Sequence, residues 1–135
     1  MKNGSGNRAA ALAEVDSITF AANDFALTDM CLVEISEQGN GGATKIELVL
    51  DGTTIISQVA LRLTGTAKVW NDDCNANKLT FMSEYLYDAN AAHNLYNNYN
   101  CGSHAITGAW KLALNAGVAG NTTYWRWNVY KLKGS

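Results

Sequence analysis

The sequence predicts an all-β fold, an antiparallel sandwich or jelly-roll barrel of about seven or eight strands forming one domain. Three observations predict it. Asp51-Gly52 stands between two alternating runs, and this pair favours a two-residue type I′ turn because both central positions need φ > 0. Lys78 to Tyr87 alternates strictly, with Leu79, Phe81, Ser83, Tyr85 and Tyr87 against Thr80, Met82, Glu84 and Leu86. No stretch carries the long apolar stripe of an amphipathic helix, which argues against a doubly wound α/β arrangement. The 135 residues suit a single core, and 47% hydrophobic with 16% charged content is globular. With no proline and twelve glycines, turns must come from Gly, Asn and Asp.

Residues 1–14, MKNGSGNRAAALAE, hold too few apolar positions for a signal-peptide core and read as a flexible or short helical arm, with the domain running from 15 to 135. Ser17 to Ala21 is a short strand. Phe25 to Ser36 is a second strand, with Phe25, Leu27, Cys31, Val33 and Ile35 on one face and Met30 and Leu32 among polar residues on the other. Glu37 to Gly42 is a loop. The hairpin then pairs Leu50 with Thr53, Leu48 with Ile55 and Ile46 with Ser57, and its apolar face continues through Val59, Leu61 and Leu63. Lys45, Glu47, Gln58 and Arg62 fall on the other face together with Ile56, and a one-residue slip would destroy this segregation. Gly65 marks a bulge, and Asn71 to Asn77 a polar turn. Asp88 to Ser103 lacks any period and reads as an Asn- and Tyr-rich loop. His104 to Lys133 reads as a second hairpin around a loop at Asn115 to Gly120. Ile106, Trp110, Leu112, Leu114, Trp125, Trp127 and Val129 lie inside; Thr107, Lys111, Tyr124, Arg126, Asn128 and Tyr130 lie outside.

The chemistry-bearing residues are sparse. Cys74 and Cys101 both fall in expected turns and form a disulfide candidate that would contribute on the order of 3 kcal/mol; free thiols are the alternative. Cys31, on an apolar strand face, reads as a buried small hydrophobe. Cys101 and His104 form a weak thiol–imidazole pair. Asp73, Asn75, Asn77 and Glu84 match positions 1, 3, 5 and 12 of a calcium-loop template, but Lys78 replaces its glycine, so no metal or other cofactor is assigned. No nucleophile elbow or phosphate-cradling loop is present, and the chain reads as non-enzymatic. A catalytic site would need His93 or His104 joined to a carboxylate.

Two non-catalytic functions remain. The first is a self-associating structural subunit of an extracellular, cell-surface or virion assembly, with Met30, Leu32 and Ile56 as the interface, because apolar residues interrupt faces that should be wet. The alternative is a carbohydrate-binding surface, with ring faces packing on sugar C–H groups and amides taking hydroxyls. Its candidates are Tyr124, Arg126, Asn128 and Tyr130 on the last strand, with Tyr96 and Tyr99 in the loop. The expected partners are therefore copies of the chain itself or a glycan. A net charge of −2 gives no electrostatic case for nucleic acid or an anionic membrane, and no apolar run is long enough for a membrane span.

Overall fold

Ten strands carry the chain: β1 Lys2–Arg8, β2 Ala13–Phe20, β3 Met30–Gly39, β4 Thr44–Leu50, β5 Thr53–Ala60, β6 Arg62–Asp72, β7 Asn75–Asp88, β8 Leu95–Ala105, β9 Trp110–Ala116 and β10 Thr123–Leu132. This computed structural model describes residues 2–134 apart from 22, 23, 27, 28, 73, 74 and 90–93, and describes no side chain at 72, 75 or 76. Two antiparallel sheets result, one of six strands in the order β1-β10-β3-β6-β7-β8 and one of four in the order β2-β9-β4-β5. The fold is an all-β sandwich, as the alternating runs predict.

The core lies between the sheets. Alternate residues of β3 (Cys31, Val33, Ile35), β6 (Leu63, Ala67, Val69) and β10 (Trp127, Val129) point inward and meet Ile46, Leu48, Leu50, Leu112 and Leu114 from the opposing sheet. Removing any one of these large side chains from water contributes roughly 1.5–3 kcal/mol. Phe20, Phe25 and Trp110 close one end, with centroids 4.5 Å apart for Phe20–Trp110 and 5.0 Å for Phe20–Phe25. Cys31 is fully buried, and burial pushes its thiol up to about 12, so it behaves as the inert hydrophobe expected.

The Asp51-Gly52 turn has the expected geometry, with φ of 47° and 85°. Leu50 pairs with Thr53 as expected, but the register then shifts at a bulge between Leu48 and Val49, so that Leu48 faces Ile56 and Ile46 faces Gln58. The extra residue carries both Ile55 and Ile56 into the core at 1% exposure and turns Val59 outward at 49%. Ile56 is therefore core, not interface. After Ala60 the chain leaves this sheet, and Arg62 begins β6 in the other.

Four further expectations are corrected. Residues 2–8 are not an arm but the strand β1, held against β10 from Lys2↔Val129 to Arg8↔Thr123. Gly65 marks no bulge, because β6 pairs evenly through it with β3 and β7; the glycine is needed because a Cβ there would lie 2.8 Å from the Tyr85 Cβ. The segment expected to loop up to Ser103 contains β8, whose residues are almost all exposed on both faces and so show no apolar period. β9 and β10 have the expected inner and outer faces but are not a hairpin: β9 pairs with β2 and β4, and β10 with β1 and β3.

Two polar groups set how the sheets meet. Buried Trp127 donates its indole N–H to Asp16 Oδ2 at 2.8 Å, and Lys2 Nζ lies 2.7 Å from Asp16 Oδ1, which ties β10 and β1 to the bulged edge strand β2. Burial pushes the Asp16 carboxyl up, but hydrogen bonds from Lys2, Trp127 and the Ser17 N–H outweigh it and hold the group below its usual range. Glu37, on the inward side of β3 opposite Trp125, is 4% exposed and accepts from the Thr44 hydroxyl; its Oε2 has no hydrogen-bond partner among the described residues. Burial pushes its carboxyl up to about 8.

Asp16→Ala is expected to lower the unfolding free energy by about 2 kcal/mol, because it strands a buried indole N–H; chemical denaturation measures it, and an unchanged midpoint contradicts this role. Glu37 gives the opposite pH sign from an ordinary carboxylate. Its folded-state pKa is raised, so its stabilising protonated form is fully retained below the unfolded value of 4.5 and lost as pH rises through about 8. The melting temperature should therefore fall across that window, and Glu37→Gln should flatten the fall; parallel pH profiles for the two proteins would refute it.

Candidate functional site

The outer face of the six-stranded sheet carries the site. Pairing places Arg126 beside Ser36 and Ser5, with Thr64 next to Ser36, and Leu86 and Asn97 further along the same row. The next row runs Asn3, Asn128, Glu34, Thr66, Glu84 and Tyr99. In the first of these rows the small Ser36 on β3 and Thr64 on β6 thus lie between the longer Arg126 on β10 and Leu86 on β7, and the sheet dips there. Two shallow depressions of about 510 and 500 Å³ follow, sharing Ser36, Thr64 and Arg126 along their floor. Tyr124, Gln38 and Arg62 line the second, and Glu84, Leu86 and Asn97 the first. A smaller one lies toward β1, lined by Asn3, Ser5, Arg126 and Asn128.

Arg126 lines all three. Its guanidinium forms no ion pair or hydrogen bond among the described residues, so its planar fork of donors is not engaged by them. Tyr124 is 47% exposed beside it. Tyr130, two residues beyond Asn128, has its phenol pushed up by burial, then by the Glu34 carboxylate and a hydrogen bond to it. The four β10 candidates therefore share one face, as the alternation requires. Tyr99 joins them on the outer face of β8, whereas Tyr96 faces the other way and stacks on Tyr87 at 5.5 Å, and so does not belong with the others.

The remaining candidates separate. Met30 and Leu32 stay on the outer face, half-buried against Leu132 and Tyr130, but Ile56 lies inside the sandwich and the three do not meet. The calcium template fails on geometry: β7 runs from Asn75 to Asp88, so Asn77 and Glu84 lie ~23 Å apart along one extended strand. Asp73 and the Asn75 side chain lie outside the described residues, and no cluster of three metal-ligating residue types occurs among those described. Cys74 also lies outside them, and Cys101 is an exposed free thiol on β8. Cys101 and His104 point to opposite faces of that strand, so the thiol and imidazole are not paired.

One constellation was not legible in the sequence. His104 Nε2 lies 3.2 Å from Asp51 Oδ2 and its Nδ1 lies 2.9 Å from Thr53 Oγ1. The neutral tautomer protonated on Nε2 satisfies both, donating to the carboxylate and accepting from the hydroxyl. These residues come from β8 and the tip of the β4–β5 hairpin, and the contact is created by sheet stacking rather than by sequence spacing. It lies on the inward side of β8, away from the outer depressions, and pins the six-stranded sheet to the hairpin turn. His93 lies outside the described residues.

No family model matches the chain, and no curated protein does. Among solved structures it is similar to the insecticidal delta-endotoxin Cry8Ea1 from Bacillus thuringiensis, at 11% identity over 96% of this chain and 20% of that one, with a TM-score of 0.45. This chain thus spans about a fifth of that toxin's length, and no family or function is assigned from the likeness.

Proposed function

We propose that the protein is a non-catalytic carbohydrate-binding module, and that the outer face of the six-stranded sheet is its binding surface. The observation that carries this is the confluence of three shallow depressions on Arg126, lined by hydroxyls and amides with Tyr124 at the side. Such a lining suits a polyol: Ser, Thr, Asn and Gln both donate and accept, as sugar hydroxyls do. A half-exposed tyrosine offers an apolar ring face to C–H groups together with a polar tip. Volumes near 500 Å³ lie within the usual range for small-ligand sites, and an open, shallow form admits one stretch of a longer chain rather than demanding an enclosed monomer.

A glycan array followed by calorimetric titration tests this. Arg126→Ala and Tyr124→Ala should each weaken binding at least about tenfold, or 1.4 kcal/mol, while Lys45→Ala on the four-stranded sheet should leave it unchanged. An array with no ligand, or equal losses from all three variants, would sink the reading.

A further inference from the structure

We infer that β8 is a homotypic docking edge: two copies of the chain pair their β8 strands antiparallel, joining two six-stranded sheets into one. Among the described residues, β8 pairs with β7 on one side only, leaving its other margin without a strand partner along eleven residues, although the Tyr99 N–H donates to Asn98 Oδ1 and the Asn100 carbonyl accepts from Ser83. An open strand edge invites another strand, and folded proteins ordinarily blunt it. The other three edges are blunted. β1 carries Lys2 and Arg8 at its ends, and the Lys2 ammonium also donates to the Ser17 carbonyl on β2. β2 carries two carboxylates and a register shift between Glu14 and Asp16. Two carbonyls of β5 are taken by side chains of the overhanging sheet: Ser83 and Asn100 donate to Ile55 O at 2.9 and 3.3 Å, and Tyr85 to Ser57 O at 3.4 Å. β8, LYNNYNCGSHA, has no proline, no bulge and no Asp, Glu, Lys or Arg.

Two further observations select a second copy as the occupant. Of the eight exposed large apolar or tyrosine side chains among the described residues, five (Met82, Leu86, Leu95, Tyr96, Tyr99) lie on β7 and β8, so the apolar surface concentrates at this edge. The strand is also self-complementary: with no formal charge along it, antiparallel self-pairing brings no like charges together, whereas β1 could not pair with its own copy without adding cations to the seam. Identical strands pair antiparallel across a two-fold axis normal to the sheet, and that operator turns both outer faces to the same side.

Sedimentation velocity over a concentration series, with amide hydrogen exchange on the same samples, tests it. The expected result is a monomer–dimer equilibrium in which exchange slows within residues 95–105 as the dimer forms. Tyr99→Lys combined with Cys101→Lys places cations on the exposed outer side of the seam; it should weaken dimerisation at least tenfold while circular dichroism and the melting temperature stay near those of the parent. A monomer at every concentration, a dimer whose slowed amides lie outside β8, or a folded double-lysine variant that dimerises as well as the parent would each overturn the inference.

Discussion

Six strands facing four is the constraint on which the rest of the structure depends. A sandwich buries surface only where both layers are present, so the four-stranded sheet decides which parts of the larger one become core. Over β3, β6 and β10 the inward residues are mostly apolar and buried; on β8, which touches β5 through polar side chains such as Asn100 and His104, both faces are largely wet. The overhang must still satisfy the exposed edge of β5, and it does so with Ser83, Tyr85 and Asn100 rather than with backbone. A polar, amide-rich β8 is thus what the mismatch requires.

The sheets are held in register by more than hydrophobic contact, which is non-directional and tolerates sliding. The indole of Trp127 on Asp16 fixes one side and His104 between Asp51 and Thr53 fixes the other. Each lies near a sheet margin, where apolar packing thins and a directional bond is most needed. Glu37 is different in kind: its burial is only partly compensated by Thr44, and it persists as an acid that stays protonated well above the usual carboxylate range.

Inner and outer faces were legible in the sequence wherever one face of a strand is buried. Leu79, Phe81 and Tyr85, and likewise Trp127 and Val129, were separable from their outward neighbours by alternation alone. Strand partners were not legible in the same way. Trp110 to Ala116 and Thr123 to Leu132 alternate well and are close in sequence, yet the intervening segment crosses between layers, and alternation carries no information about which sheet a strand joins. The bulge at Leu48 and Val49 was hidden because Ile55 and Ile56 are equally apolar, so either could be read as the inward residue. β8 gave no period because neither face is covered, and the His104 contact joins residues more than fifty positions apart. The β10 part of the candidate site could be read directly because its four members occupy alternate positions of one strand.

That placement makes the outer face of β10 stiff. On β10, Trp127 and Val129 are fully buried while Arg126 and Asn128 stand on the opposite side of the same backbone. Neighbours on both sides, β1 from Thr123 to Val129 and β3 from Thr123 to Leu132, pair with the strand, so the positions of Cα atoms under the depressions are set by the sheet and core rather than by a loop. A ligand meeting this face need order only side-chain torsions, and the small Ser36 and Thr64 at its floor have little rotamer freedom to lose. The larger entropic cost falls on Arg126, whose long side chain is free at the meeting point of all three depressions. Under the proposed carbohydrate-binding role, recognition would concentrate on one long cation set in a stiff polar floor, an arrangement suited to ligands of differing outline that share a common central contact.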